Sequence, residues 1–255
     1  MSKIILKSKE EIELLRQSNI LVSKTIGLIS KHIKPGVKTI ELDKMAEEFI
    51  RDNHGIPGFK GYNNFPNTLC TSINDEIVHG IPSYRELKEG DIITIDCGVI
   101  MNEFYGDSAY TFPVGEVKEE IKQLLKITKE SLYKGIEKSI IGNRLGNIGF
   151  AIQNHVQQNS YFVIRDLSGH GIGRDLHEEP RILNYGKRGS GKKIVEGMVI
   201  AIEPMVSMGS YKIIQEGPHV IKTFDNSLSC HFEHSIVITK DGPDTLSSFE
   251  YIEKK

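Results

Sequence analysis

The sequence predicts a mixed α/β (α+β) protein built from two similar half-domains. Amphipathic helical patterns precede strand-like segments in each half, and no linker-like break separates them. Residues 89–96 match residues 196–203 at four of eight positions, and both segments end on a carboxylate. His79-Gly80-Ile81-Pro82 likewise resembles His170-Gly171-Ile172-Gly173. We therefore expect a pseudo-twofold relation between the halves, with the functional site at the seam.

Four helices are predicted from apolar residues that recur at helical spacing. The first begins at Ser8, where Glu11 completes a capping box, and apolar residues follow over residues 12–29. Thr39 is expected to cap the second helix, whose apolar face ends at Ile50. The two remaining helices are predicted over residues 117–140 and 145–157.

Six strands are predicted from segments rich in β-branched and apolar residues. Residues 91–96 have the composition of a buried strand. Glycine, asparagine and aspartate turns separate the segments near the end of the chain. The other five predicted strands cover residues 161–165, 198–203, 211–214, 219–223 and 232–239.

Size and composition are those of an ordinary soluble enzyme. A chain of 255 residues with 38% hydrophobic residues can form one catalytic domain over residues 1–255. A formal net charge of −2 gives no electrostatic reason to expect nucleic acid or a membrane as partner. Neither a signal peptide nor a membrane-spanning run is visible. Three cysteines without CxxC spacing predict reduced thiols, and thus a cytoplasmic protein.

Four acidic residues and one histidine suggest a metal site. Asp96 and Asp107 precede His170 in the chain, whereas Glu203 and Glu233 follow it. Hard divalent cations prefer oxygen ligands and accept imidazole nitrogen, and four carboxylates carry enough charge for two ions. A single acidic residue at a strand end is usually a turn or surface residue, so the interpretation depends on the whole set.

Over nearly its whole length the chain resembles the type I methionine aminopeptidases of peptidase family M24, which have the pita-bread fold. The motifs that carry the resemblance occur in the family's order: Ser72-Ile73-Asn74, His79-Gly80-Ile81-Pro82, Ile95-Asp96, Gly106-Asp107, Gly169-His170-Gly171-Ile172-Gly173, His177-Glu178-Glu179-Pro180, Ile202-Glu203-Pro204-Met205 and Glu233-His234. The resemblance implies a curved central antiparallel sheet covered by helices. It also implies removal of the initiator methionine from nascent polypeptides when the second residue is small.

The resemblance further implies two divalent metal ions, of cobalt, manganese, iron, zinc or nickel. The five ligand positions correspond to Asp96, Asp107, His170, Glu203 and Glu233. Asp107 and Glu233 stand at the bridging positions. Two ions that share a water molecule lower its pKa, and Glu203 is the candidate acceptor for its proton.

Two histidines outside the ligand set are expected to bind substrate and to take part in catalysis. His177 would donate to the developing oxyanion, and His79 would position the substrate amine or transfer protons. The alternative interpretation for each of them is a core histidine whose ring nitrogens are hydrogen-bonded within the protein.

An apolar pocket for the methionine side chain is expected from residues that could equally be ordinary core. Its predicted walls include Tyr62, Phe65, Cys70 and Leu176, with His219 nearby. Phe65, Leu176 and His219 stand where a well-known bacterial branch has tyrosine, phenylalanine and tryptophan, and this chain has no tryptophan. Inhibitor preference and tolerance for the second substrate residue are therefore open.

Several neighbouring residues are expected to be structural. Cys97 should face away from Asp96 by strand alternation and form part of the core, and His231 and His234 should also be structural. The glycines around His170 are expected to permit close backbone approach, because no Gly-Lys-Ser or Gly-Lys-Thr follows them.

Three alternative functions remain. Proline-specific peptidases such as aminopeptidase P and prolidase share the fold and the set of five metal-ligand positions, but usually carry a large additional N-terminal domain. A non-catalytic pita-bread binding protein would normally have lost ligands. A nucleic-acid-binding module would need positive charge and aromatic platforms that this chain lacks. The expected partners are nascent polypeptide N-termini, transient proximity to the ribosome is left open, and a monomer is the default.

Overall fold

Two pairs of helices cover β-sheets in the computed structural model, which describes residues 3–253. The helices are α1 (Lys9–Ser30), α2 (Thr39–Asp52), α3 (Glu119–Ile136), α4 (Leu145–Gln158) and the short α5 (Glu250–Glu253). The strands are β1 (Ile56–Pro57), β2 (Leu69–Ile73), β3 (Glu76–Val78), β4 (Ile92–Met101), β5 (Phe104–Pro113), β6 (Phe162–Val163), β7 (Gly169–Gly171), β8 (Glu178–Ile182), β9 (Val199–Ile202), β10 (Met205–Ser207), β11 (Ile213–Glu216), β12 (Val220–Thr223), β13 (Ser229–His231), β14 (His234–Thr239) and β15 (Gly242–Thr245).

The start of α1 confirms the predicted capping box. Ser8 Oγ accepts a hydrogen bond from the Glu11 backbone N–H at 3.2 Å, and Glu11 Oε2 accepts one from the Ser8 N–H at 3.0 Å. The predicted cap of α2 is wrong. Lys38 occupies the N-cap position, and Thr39 is the first helical residue. The Thr39 hydroxyl instead bonds the backbone of Ser83, which ties the helix start to the segment after β3.

The first half-domain is a sheet in which β4 pairs with β1, β2 and β5, all antiparallel. Helices α1 and α2 cover it. The apolar cluster between helices and sheet includes Val22, Ile26, Leu42, Ile93 and Ile95, all of which are buried. Removal of this apolar surface from water is the main force that holds the helices on the sheet.

The second half-domain repeats this arrangement with the strand order β15-β14-β9-β7-β8. Helices α3 and α4 pack on it through a second cluster, which includes Leu124, Leu132, Ile148, Ile152 and Ile200. The matching segments of the sequence lead into β4 and through β9, which are inner strands of the two sheets. The predicted α+β class with duplicated halves is confirmed.

The second sequence match does not correspond to equivalent positions. His170 lies on β7, which pairs with β9. His79 follows β3, and β3 pairs with β12 in a separate sheet of order β11-β12-β3. The resemblance between the two His-Gly motifs is therefore local, and the pseudo-twofold relation does not superpose them.

Element boundaries differ from the predictions where tertiary contacts decide the structure. Strand β4 continues to Met101, and its hairpin partner β5 was not predicted. Helix α3 ends at Ile136, before a turn in which Gly142 has a φ of +93°. Strand β11 is shifted two residues along the chain relative to the predicted strand. Within residues 3–253, no helix has both the length and the apolar composition needed to span a bilayer.

Candidate active site

Asp96 and Asp107 lie close together because their strands form a long antiparallel hairpin. Asp96 is opposite Ala109 and Asp107 is opposite Gly98 in the register of β4 and β5. Both acidic side chains lie on the same face, since directly opposed residues and residues two positions apart share a face. The two carboxyl groups interact, since each is among the groups that shift the pKa of the other.

Strand β5 also joins the two half-domains and places Glu233 beside Asp107. The Glu233 N–H donates to the Ala109 carbonyl oxygen at 2.9 Å, and Ser108 Oγ donates to the Glu233 carbonyl oxygen at 2.7 Å. Ser235 Oγ donates to the Asp107 carbonyl oxygen at 2.9 Å. These three bonds fix the two halves against each other, so the acidic residues meet at the seam.

His170 on β7 faces this acidic group with its Nε2 atom. Its Nδ1 lies 2.9 Å from the Gly171 carbonyl oxygen, which favours a proton on Nδ1 and leaves the Nε2 lone pair free. Nε2 is 3.6 Å from Glu203 Oε1 and 3.7 Å from Asp107 Oδ2. Ligand atoms of Asp107, His170 and Glu233 all lie within 4.8 Å of one another.

The glycines on either side of His170 allow this approach, as predicted. A Cβ atom on Gly169 would overlap the Ala201 carbonyl oxygen, and one on Gly171 would overlap the Glu179 carbonyl oxygen. Only glycine permits both strands to lie this close to β7.

The donor atoms fit divalent cations. Asp96 Oδ1, Asp107 Oδ1 and Glu233 Oε1 are buried, and none has a hydrogen-bond partner among residues 3–253. Buried carboxylate oxygens without partners are strongly unfavourable unless a cation compensates them. A set of four carboxylates and one imidazole is typical of sites for manganese, iron, cobalt, nickel or zinc.

The electrostatics of the site agree with this fit. Burial raises the pKa of Asp96, Asp107, Glu203 and Glu233, and neighbouring carboxylate charges raise the last three further. Burial lowers the pKa of His170 to about 3, so its imidazole is neutral. A bound cation would stabilise the ionised carboxylates and accept the neutral imidazole as a ligand.

Every residue predicted for the site lines one cavity of about 310 Å³. Phe65, Cys70 and Leu176 are buried, and they also belong to an apolar cluster that continues into the core. His219, on the turn between β11 and β12, meets the edge of the Phe65 ring at a centroid distance of 5.4 Å. Phe65, Cys70 and Leu176 thus belong both to the core and to the cavity wall, so both interpretations given by the sequence hold for them.

His177 and His79 also line the cavity, outside the acidic cluster. Tyr62 Oη lies 2.8 Å from His177 Nδ1, which leaves the other ring nitrogen available to a substrate. The His177 ring is 4.4 Å from the His170 ring between centroids. His79 follows β3 with a φ of +60°, a left-handed conformation that is uncommon for a residue other than glycine.

Some cavity residues were not identified from the sequence. The additional wall includes Phe59, Asp166, Arg181, Met205 and His231. His231 was expected to be structural, but its ring faces the acidic group. Its position two residues before Glu233 was the available signal, since residues at this spacing share a strand face.

The other two residues expected to be structural agree with that interpretation. Cys97 is buried and lies in the apolar cluster beneath α1 and α2. His234 is buried, with Nδ1 at 2.7 Å from Ser247 Oγ and its ring at 3.8 Å from the Phe249 ring between centroids. Neither side chain is among those that line the cavity.

Comparisons with known proteins agree with this geometry. Methionine aminopeptidase from Clostridium acetobutylicum is 49% identical over 97% of this chain and 100% of that protein. The crystal structure of methionine aminopeptidase from Rickettsia prowazekii matches with a TM-score of 0.95 and 40% identity, covering 96% of this chain and 100% of that one. The prolidase from Pyrococcus horikoshii shares the fold at a TM-score of 0.76 and 23% identity, and covers 96% of this chain but 63% of its own. The pattern of metallopeptidase family M24 matches residues 13–240, and the chain belongs to this family.

Proposed function

We propose that the protein is an aminopeptidase that removes an N-terminal methionine from polypeptides whose second residue is small. One observation carries the proposal: buried carboxylate oxygens without partners and the free Nε2 of His170 open into a cavity with apolar walls. The methionine aminopeptidases that resemble the chain along almost its full length support the substrate.

Asp96, Asp107, His170, Glu203 and Glu233 would hold two divalent ions. Bound there, the ions would polarise the scissile carbonyl group and a water molecule. The chemistry of the donor set suits manganese, iron, cobalt, nickel or zinc.

Side chains of the protein would accept and donate the protons of the reaction. Glu203 accepts the proton of the attacking water, because its carboxylate borders both the ligand cluster and the cavity. His177 donates a hydrogen bond to the oxygen of the scissile carbonyl as negative charge develops there. Tyr62 holds the His177 ring through Nδ1 and so directs the other nitrogen away from itself. His79 binds the substrate amine or transfers protons from another part of the cavity wall.

The apolar part of the cavity would bind the methionine side chain. Phe65, Cys70 and Leu176 provide polarisable and flexible contacts that suit a thioether. Leu176 and His219 replace aromatic residues that we expected from the resemblance, so selectivity against other apolar side chains is expected to be weaker.

Peptide substrates test this proposal directly. We expect efficient release of the first residue from Met-Ala and Met-Ser peptides, little release from Met-Lys and almost none from Leu-Ala or Ala-Pro. The chain's own Met1-Ser2 sequence is of the efficient kind and lies outside the described residues. Equal rates on Met-Ala and Leu-Ala would contradict methionine as the specific substrate. Preferential cleavage of Ala-Pro would favour the proline-specific alternative.

Three further features of the proposal concern the cellular setting. The three cysteines are buried and unpaired, which supports a reducing compartment such as the cytoplasm. The net charge of −2 gives no support to nucleic acid or anionic membranes as partners. The simplest arrangement is a monomer that acts on the N-termini of nascent polypeptides and approaches the ribosome only transiently. Sedimentation of the purified protein checks the oligomeric state.

A further inference from the structure

His231 is a buried histidine whose backbone is held by hydrogen bonds but whose ring makes none among residues 3–253. Its side chain is 2% exposed, and neither ring nitrogen has a hydrogen-bond partner among residues 3–253. The backbone is held from both sides by one residue on β5: the His231 N–H donates to Thr111 Oγ1 at 3.0 Å, and the Thr111 hydroxyl donates to the His231 carbonyl oxygen at 2.7 Å. A buried polar ring without partners is unfavourable, so the arrangement calls for a functional explanation.

The ring nitrogen Nε2 faces two of the proposed metal ligands. It lies 3.8 Å from Glu203 Oε2 and 3.8 Å from Glu233 Oε2. Glu203 is thus placed between two imidazoles, because its other oxygen, Oε1, is 3.6 Å from His170 Nε2. Each oxygen of Glu203 faces a different histidine.

The separation of 3.8 Å exceeds the roughly 2.7–3.2 Å of an N–H···O hydrogen bond. A modest movement of the Glu203 side chain would close the gap. Glu203 also lies outside the tight cluster of ligand atoms formed by Asp107, His170 and Glu233, so a partner that orients its carboxylate would help it to bind an ion. A donor at Oε2 would turn Oε1 towards the ions near His170.

We propose that His231 is a positioning residue that donates its Nε2–H to Glu203 Oε2 and thereby strengthens metal binding. This inference rests on the metal site of the proposed function. A neutral imidazole carries one N–H donor, so the role needs no additional charge in the site. Residues that orient metal ligands in this way typically change metal affinity by about 10–100-fold when they are removed.

Two substitutions separate this role from simple packing. His231→Leu removes the N–H donor and replaces the ring by an apolar side chain of similar size. His231→Gln keeps a side-chain N–H donor. His32→Leu, at an exposed position on the surface, is the matched control. The dissociation constant for Co²⁺ is measured by calorimetry on chelator-stripped protein, and thermal unfolding of the stripped proteins shows that each variant is folded. His231→Met replaces the leucine variant if that variant is unfolded.

We expect His231→Leu to bind Co²⁺ about 10–100-fold more weakly than the parental protein, and His231→Gln and His32→Leu to bind close to the parental value. Equal affinity of the parental protein and His231→Leu would overturn this inference alone. If His231→Gln is as weak as His231→Leu and alters the visible absorption of bound Co²⁺, His231 is a ligand and the donor role is wrong. A parental protein that binds no Co²⁺ would overturn the proposed metal site together with this inference.

Discussion

A buried ion pair beside the candidate active site leads to a quantitative stability prediction. Lys7 Nζ lies 2.6 Å from Glu178 Oε2, and the two side chains are 2% and 5% exposed. Glu178 directly follows His177, and its other oxygen accepts a hydrogen bond from the Arg174 backbone N–H at 3.0 Å. The pair therefore joins the N-terminal segment to the turn that carries His177.

Lys7→Met leaves the Glu178 charge buried without its counter-charge. Breaking a buried pair in this way destabilises a protein by about 3–5 kcal/mol. For a chain of this size, each kcal/mol corresponds to about 2–4 °C, so we expect the Tm to fall by about 6–20 °C. The double variant Lys7→Met/Glu178→Leu should recover most of the loss, because removal of both partners is often neutral.

Differential scanning calorimetry of metal-stripped protein measures these changes. Lys118→Met is the matched control, since the Lys118 side chain is 81% exposed and its pair with Glu120 is 3.9 Å long. We expect this control to change stability by less than about 1 kcal/mol. A Lys7→Met variant as stable as the parental protein, or a double variant no more stable than the single one, would refute the reasoning.

Three further predictions concern the site itself. Asp107→Asn or Glu233→Gln should lower turnover by orders of magnitude in a peptide assay and reduce the metal content found by elemental analysis. Circular dichroism should show that the fold is retained. Full activity at unchanged metal content would contradict the bridging role. His177→Ala should lower kcat about a hundredfold or more at constant metal stoichiometry, and loss of metal in this variant would make His177 a ligand. Tyr62→Phe should lower kcat by about two- to tenfold, because one hydrogen bond to the His177 ring is lost. The metal-stripped protein should lose stability between about pH 5 and pH 7, where the unfolded Asp96 carboxyl is already ionised and the folded one still holds its proton. Burial raises the pKa of Asp96 to about 7 and that of Glu233 well above its ordinary value. The folded state therefore holds protons that the unfolded carboxylates have already released, and the free energy of unfolding falls as the pH rises. A Tm that increases over this range would contradict the raised pKa values.

The elements that were predicted best are those specified by local patterns. Helix α1 begins where its capping box predicts, because Ser8 and Glu11 satisfy each other's backbone groups without help from the rest of the fold. Strand β5 was missed because it contains Gly106, Asp107 and Ser108, which have low strand propensity. Pairing along the full length of β4 overrides that local preference.

In the candidate site, too, some features could be predicted from sequence motifs and others depend on tertiary packing. The resemblance of the motifs to those of the family predicted which acidic residues and histidines would meet, and all of them line one cavity. The supporting contacts that lie outside these motifs could not be predicted in this way. The bond from Tyr62 to His177 joins positions 115 residues apart, and the buried pair of Lys7 and Glu178 joins positions 171 apart. Such contacts follow from the packing of the two half-domains, which local sequence does not specify.

Metal titration with a methionine-release assay tests the central claim most directly. Protein is stripped with a chelator, titrated with Mn²⁺ or Co²⁺, and assayed for free methionine from a Met-Ala peptide at each metal-to-protein ratio. We predict that the stripped protein is inactive and that activity returns as the ions bind, with binding complete at two ions per chain. Full methionine release by the stripped protein, before any metal is added, would contradict the account.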